Sequence, residues 1–455
     1  MNEVPIETAH EVTRTLARFI VDSRPADIPD AVIHEAKRAL LHWIGCSLGG
    51  SRHAALECAL ATLQEFSGPR DAGVLGRSER VDILLAALLN GISADALGFS
   101  DTHLKTVIHA GGVIGPAVLG LAERTRTTGR DLLHAFLLGI EVACRVGLAV
   151  YPWHYARGWH ITGTAGTFGA AAAAGKLLGL DAQRMTWALG IAATQAAGLR
   201  EMFGSMCKSL HGGRAAQNGL SAALLARNGF TSSERGIEAP RGFAHVLGES
   251  PDLAAITANL GTTFEVLQNT YKPFPCGVVI HPVIDGCVTL KTSHAVVAQD
   301  IGRVALRVNP LVLELTGRNT PVTTSEAKLS VYHSAAAALL RGRITEQEYA
   351  LACVSDPEVV ALREKVVAMA DTTIREDEAD VTLELANGKT LHHHVDYAIG
   401  SVQRPMSDAD IETKFRGLAG PVLPANAIEQ LIENCWAVTE MEDAAVLARL
   451  AVTPR

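Results

Sequence analysis

Aromatic residues are scarce in this chain, at 5% of the sequence. Its core must therefore be built from aliphatic and small side chains. The eight cysteines form no CxxC pair and no metal-like spacing. That excludes a disulfide framework and reads instead as small buried apolar side chains in a reducing compartment, so the cytoplasm is the expected location. Basic runs and basic–aromatic strips are missing and the net charge is −8, so a nucleic-acid partner is not expected. The opening segment, MNEVPIETAHEVTRTLARF, begins polar and acidic rather than as a signal peptide. The best candidate for a membrane span, LLHAFLLGIEVACRVGLAVY, carries Glu141 and Arg145 and reads as a buried core helix, so no membrane partner is expected either. HEXXH, GxSxG, a P-loop and a strand-borne GxGxxG are all lacking. LHHHV at 391–395 falls on an expected strand, where alternate histidines face opposite sides and make a poor zinc clamp. No metal and no nucleotide cofactor are expected.

What the chain has in quantity is alanine and glycine, with 41 glycines in 455 residues. Small residues allow close approach of helices. Helical periodicity recurs at about 7–22, 30–48, 54–65, 80–97, 112–125, 129–150, 163–179, 183–198 and 212–227, with Asp181 as one expected cap. Near residue 265 the pattern changes. Val304, Leu306 and Val308 alternate along one strand face. ADVTLELANGKTLHHHVD reads as a hairpin turning at Asn387-Gly388 in a type I′ turn. A helix from Glu326 to Leu340, capped by Thr324 or Ser325, lies between them. The last 45 or so residues return to helix, too short a stretch to bury its own apolar faces, and are expected to pack back on the first part. The expected organisation is mainly α: an all-helical domain from 1–265 with 405–455, and a smaller α+β domain over 266–404.

Polar clusters interrupt this apolar sequence. The densest is GFSDTHLKTVIHAGG (98–112), in which seven of fifteen residues are Ser, Thr, Asp, Lys or His. Flanked by segments that read as buried helices, it must be satisfied internally or line a wet cleft. Asp101, Thr102, His103 and His109 suit proton transfer near neutral pH. A plain capped loop is the alternative reading. YPWHYARGWHITGTAGT brings His154 and His160 to a helix start. In MCKSLHGGRAA, Lys208, His211 and Arg214 stand at i, i+3 and i+6 beside a helix of small residues. Cations there oppose the helix dipole, which an anionic ligand explains better than helix stability does. YKPFPCGVVIHPVID holds Lys272 between rigid prolines, and EAKLSVYH places Tyr332 on a helix, where a packed hydroxyl is the plainer reading.

In this order, NGISADALGFSDTHLKTVIHAGG, GWHITGTAGTFGAAAAAGKLLGL, MCKSLHGGRAAQNG, YKPFPCGVVIHPVID and SEAKLSVYHSAAAALLRG resemble the MmgE/PrpD, or 2-methylcitrate dehydratase-like, family. The resemblance implies a large all-helical domain built from both chain ends, a smaller α+β lid domain, a homodimer, no cofactor, and chemistry beside a carboxylate of a di- or tricarboxylate substrate. It carries the family's catalytic Thr and His onto Thr102 and His109, its second His onto His160, its lysines onto Lys208 and Lys272, and its Tyr onto Tyr332. The family's dehydratases and decarboxylases typically read DFDDT where this chain reads GFSDT, so Gly98 and Ser100 replace two carboxylates and Asp101 remains. The family's preceding His is Asp95 here.

Abstraction of a proton α to a carboxylate needs a base and a cation to stabilise the aci-carboxylate. His109 and His160 suit the first role, and Lys208, Lys272 and Arg214 the second, with His103 and His211 as further ligand contacts. With two carboxylates gone from the central motif, acid-assisted dehydration is less well served than epimerisation. The expected activity is therefore epimerisation of an α-substituted dicarboxylate such as iminodisuccinate. A 2-methylcitrate-type dehydratase or a cis-aconitate-type decarboxylase is the alternative, and a non-catalytic carboxylate-binding protein the outside one.

Overall fold

Side-chain caps set where several helices begin. Asp82 Oδ1 accepts from the amides of Leu84 and Leu85, Thr128 from Asp131, and Asp181, as expected, from Arg184. In this computed structural model, which describes residues 11–453, the helices up to residue 260 are α1 (Val12–Asp22), α2 (Asp30–Gly50), α3 (Ala54–Leu63), α4 (Ile83–Ala96), α5 (Gly111–Arg124), α6 (Gly129–Val150), the single turn α7 (Trp153–Ala156), α8 (Ile161–Leu177), α9 (Ala182–Gln195), α10 (Cys207–Arg227) and two short ones, α11 (Phe243–Leu247) and α12 (Leu253–Thr257). The stretch of the expected first helix before residue 11 lies outside the described residues. The fold is mainly α.

The chain divides into two units. One runs up to Thr270 and resumes at Asp408; the other is Tyr271–Ser407. In the first, α10 packs against α4 and α8, and α6 against α8. These helices meet on small residues. A Cβ on Gly213 would stand 2.3 Å from the carbonyl oxygen of Leu88, and one on Gly219 2.5 Å from the Cβ of Ala170. The apolar helix Gly129–Val150 is long enough to cross a membrane, but 94% of its apolar window is buried in this unit. Its Glu141 and Arg145 pair at 2.5 Å, both almost fully buried. The late helix Asp408–Ala419 lies along α2, its Phe415 ring filling the space over Gly45. Two short strand pairs complete the unit: β1 (Ala72–Gly73) with β2 (Arg80–Val81), and β3 (Thr102–His103) with β4 (Asn269–Thr270), both antiparallel.

The second unit is α+β. β5 (Ile301–Val308) buries Val304, Leu306 and Val308 as its alternation predicts. It pairs in parallel with β6 (Val366–Ala370) and antiparallel with β7 (Ala379–Leu385), which pairs with β8 (Thr390–Val395), giving the order β6-β5-β7-β8. α13 (His281–His294) packs on β7 and β8. The remaining helices are α14 (Pro310–Thr316), α15 (Thr324–Ala327), α16 (Val331–Arg341), α17 (Leu351–Val354) and α18 (Pro357–Arg363).

Three local expectations are corrected. The helix expected over 326–340 is broken. Thr323, not Thr324 or Ser325, caps the first piece in a capping box with Glu326, and Ser330 caps α16 by accepting from the amide of His333. Asn387-Gly388 is not a type I′ turn: only Gly388 has positive φ, at 84°, and the amide of Leu385 donates to the carbonyl of Lys389. Three residues thus close the hairpin, with glycine in the left-handed position. Finally, α10 begins at Cys207, five residues before the expected start, which puts Lys208 and His211 on its first turns.

Candidate active site

The polar loop follows α4, and Gly98, with φ of 77°, turns the chain out of that helix. One of the two missing carboxylates is thus replaced by a residue the backbone needs in the left-handed region. The loop is then pinned from within. Thr270 donates to the carbonyl of Thr102 at 2.7 Å, across the β3–β4 pair. The wholly buried Asp101 accepts at Oδ2 from the amide of Gly111, at the start of α5, and from Asn269, each at 3.1 Å. Burial pushes the Asp101 carboxyl up, against the pull of those donors. His103 is also enclosed: Nδ1 meets Thr106 Oγ1 at 2.7 Å and Nε2 meets Glu265 Oε2 at 3.0 Å. The bond to His103 holds the Glu265 carboxyl below its ordinary range. The amide of Glu265 in turn donates at 2.7 Å to Glu141, the partner of Arg145. Between these anchors and His109, Val107 has φ of 55°. A β-branched residue in that region costs about 1–3 kcal/mol and persists only where its surroundings hold it.

His109, half-buried at the end of the loop, is what the pinning presents. Its Nδ1 lies 2.7 Å from the carbonyl oxygen of Asp101, which can only accept, so Nδ1 carries the proton and Nε2 the lone pair. Thr102 Oγ1 is 3.2 Å from the same nitrogen, and the amide of His109 donates to Thr162 on α8 at 3.1 Å. The His160 ring lies 6.5 Å from that of His109, centroid to centroid. His160 immediately precedes α8 and shares an Nδ1–Nδ1 hydrogen bond of 2.9 Å with His211 on α10. Burial lowers the pKa of His211, while nearby Asp95 pulls the other way. One turn back on α10, Lys208 donates to Asp95 Oδ1 at 2.6 Å, and Ser100 reaches the same oxygen at 3.2 Å. The other oxygen, Oδ2, is buried with no hydrogen-bond partner among the described residues.

Among the expected residues, the first unit thus brings together Thr102, His109, His160, Lys208 and His211. Asp101 and His103 face inward and hold the loop. Arg214 is exposed on α10 and donates to Gln217; with His211, Gln195 and Asn218 it lines a cavity of about 380 Å³. Lys272 and Tyr332 belong to the second unit, Lys272 buried and Tyr332 half-buried against that unit's core. His154 is structural, with one nitrogen on the carbonyl of Leu247 and the other on Thr164. In the second unit, Glu378, His394 and Asp396 bring possible metal-ligand atoms within 4.8 Å of one another, but Arg375 pairs with both acids. The sequence reading missed Asp95, Glu265 and Asn269 as partners of the cluster. Two signals pointed to Asp95: an acid inside the apolar run GISADAL, and its place where the resembled family carries a His.

Two family descriptions match the chain: the MmgE/PrpD N-terminal domain over residues 14–255 and the MmgE/PrpD C-terminal domain over residues 274–438. The chain is 30% identical to the cis-aconitate decarboxylase of Homo sapiens, over 97% of this chain and 95% of that one. It is 28% identical to the cis-aconitate decarboxylase-like protein oryM of Aspergillus oryzae, over 96% of each. With the cis-aconitate decarboxylase of Aspergillus terreus the identity is 26%, over 97% and 96%.

Proposed function

The chain belongs to the MmgE/PrpD family, and from that premise we propose that it forms and re-protonates a carbanion beside a carboxylate of a di- or tricarboxylate, as a lyase of the cis-aconitate decarboxylase type. The observation that carries this reading is the orientation of His109: the carbonyl of Asp101 holds a proton at Nδ1, so Nε2 is the nitrogen that takes up and releases protons, beside His160 and in a cluster with Lys208. In such a decarboxylation the bond to the departing carboxylate breaks and its electrons pass into the remaining carboxylate-conjugated system. His109, having taken a solvent proton at Nε2, then delivers it to carbon and returns to the neutral tautomer as CO₂ leaves. Lys208 supplies positive charge where the negative charge develops. The relatives' names, over nearly the whole chain, support the lyase reading.

A second reading, epimerisation of an α-substituted dicarboxylate such as iminodisuccinate, is favoured by one feature. Gly98 and Ser100 stand where the family's dehydratases and decarboxylases typically carry acids, and the carboxylate beside Lys208 is Asp95 instead. Epimerisation needs only two proton-transfer groups on opposite faces of one carbon. Proton NMR in D₂O with cis-aconitate, 2-methylcitrate and the iminodisuccinate stereoisomers separates the readings. Release of CO₂ from cis-aconitate, with deuterium in the product, is the expected result. Deuterium at the α-carbon of iminodisuccinate with stereoisomer interconversion, and no lyase product, assigns the second reading. No reaction and no exchange with any of them rejects both.

A further inference from the structure

We propose that His211 relays protons between His160 and the cavity beside α10, giving the reacting site a route for proton exchange with solvent. The inference rests on the proton-transfer chemistry proposed above, with His160 as the second proton-transfer group beside His109. The geometry has three parts. The two imidazoles meet through Nδ1 of both rings at 2.9 Å, so one ring donates and the other accepts, and the Nε2 atoms lie at opposite ends of the pair. His211 lines the cavity of about 380 Å³ together with Arg214, Gln195, Asn218 and Cys207, and His160 does not. The Nε2 of His211 makes no hydrogen bond among the described residues and is not sealed from solvent.

The backbone holds the pair in register. The His160 amide donates to the carbonyl of Gly198 at 2.9 Å. A Cβ on Gly198 would sit 3.4 Å from His211 Nδ1 and 3.5 Å from His160 Cβ, so this glycine lies against both rings. Phe203 meets the His160 ring edge-on at 5.0 Å, which keeps water from that side. The charged groups near His211 are Asp95 on α4 and Lys208 and Arg214 on its own helix. Asp95 and Lys208 pair with each other, so neither binds the relay proton as an isolated charge.

The proton count closes with water as the only other reactant. His160 begins with its proton on Nδ1, donated to Nδ1 of His211, whose own proton is on Nε2. When His160 takes a proton from substrate carbon at Nε2, its Nδ1 proton passes to His211 Nδ1, and the Nε2 proton of His211 leaves to water in the cavity. The pair ends with both tautomers reversed. In that state it runs the other way, taking a proton from the cavity and delivering one from His160 Nε2 to carbon. Epimerisation, which removes and then returns a proton, runs the pair both ways in each turnover. Decarboxylation uses the delivery direction, and the pair resets when His160 Nε2 takes a proton from water in the emptied site and His211 Nε2 releases one to the cavity.

The test compares wild type with His211→Asn and His211→Ala on whichever substrate the D₂O experiment identifies, with the fold of each checked by circular dichroism and thermal melting. Asparagine keeps a hydrogen-bonding group near His160 but cannot pass a proton on. We expect kcat to fall about tenfold to a hundredfold in both variants with KM changed less than about twofold, a part of the range that general acid–base groups command. Free imidazole, small enough for the cavity, then restores His211→Ala but not wild type. If His211→Ala does not fold, the solvent isotope effect of His211→Asn decides, and an effect on kcat larger than that of wild type supports the relay. Full kcat in His211→Asn, or a loss in a folded His211→Ala that imidazole leaves untouched, overturns the relay while the proposed chemistry stands. A wild type that puts no solvent deuterium into either substrate or product overturns the proposed chemistry and the relay together.

Discussion

His109 has one ring nitrogen committed to the carbonyl of Asp101 and the lone pair on the other. Replacing it by glutamine removes the base but keeps a polar side chain of similar size. His109→Gln is therefore expected to lower kcat by about 10²–10⁴ while moving the thermal midpoint by little; steady-state kinetics with a melting curve checks both. At this scale the sequence was informative about where polarity is concentrated and poor at saying which polar groups face a ligand. Asp101, Thr102, His103 and His109 sit within nine residues of one another and are equally suited to chemistry. Two of them turn inward because Asn269 and Glu265, more than 160 residues along the chain, receive them. No local pattern carries that information. The Asp95–Lys208 pair was unreadable for the same reason, since its members stand 113 residues apart.

α10 carries Lys208 and His211 on a helix packed closely against α4 and α8. Its contacts with α4 and α8 run through Gly213 and Gly219, where an added methyl would meet backbone oxygen or a facing Cβ rather than a flexible side chain. Gly213→Ala should therefore destabilise the protein by about 1–3 kcal/mol, although alanine favours helix, because α4 or α10 has to shift. Since Lys208 and His211 shift with α10, kcat should fall as well. Chemical denaturation and kinetics on the same preparation test both effects. The abundance of small residues announced close helix packing from composition alone. The true start of α10 was hidden because Met206, the residue before it, offers no side-chain cap. The hairpin turn was misjudged for a related reason: Asn-Gly suits two turn types, and the pairing of Leu385 with Lys389 decides between them.

Across the molecule, buried neutral histidines make stability depend on pH. Burial pushes His134 and His154 down to about 4. Between pH 6.5 and 4 the unfolded chain binds protons that the folded chain refuses, so stability falls as pH drops through that window, by up to about 1.4 kcal/mol per pH unit for each imidazole. Thermal midpoints should decline from pH 6.5 to 4.5, and His134→Gln should flatten that decline. The mainly α character and the strand alternation of the later region were legible, because both are questions of apolar area and periodicity. What the tail touches was not. Lys414, in the helix Asp408–Ala419, reaches His42 at 2.7 Å and the carbonyl of Phe99 at 3.0 Å, and its ammonium sits 4.5 Å from the centre of the Phe99 ring. Phe99 belongs to the loop that presents Thr102 and His109. On the ribosome that loop emerges 315 residues before the lysine that braces it. The brace on Phe99 is therefore the last of the loop's supports to be synthesised, long after those from Gly111, Thr162, Glu265 and Asn269, and a nascent chain holds the loop without it until the helix Asp408–Ala419 arrives.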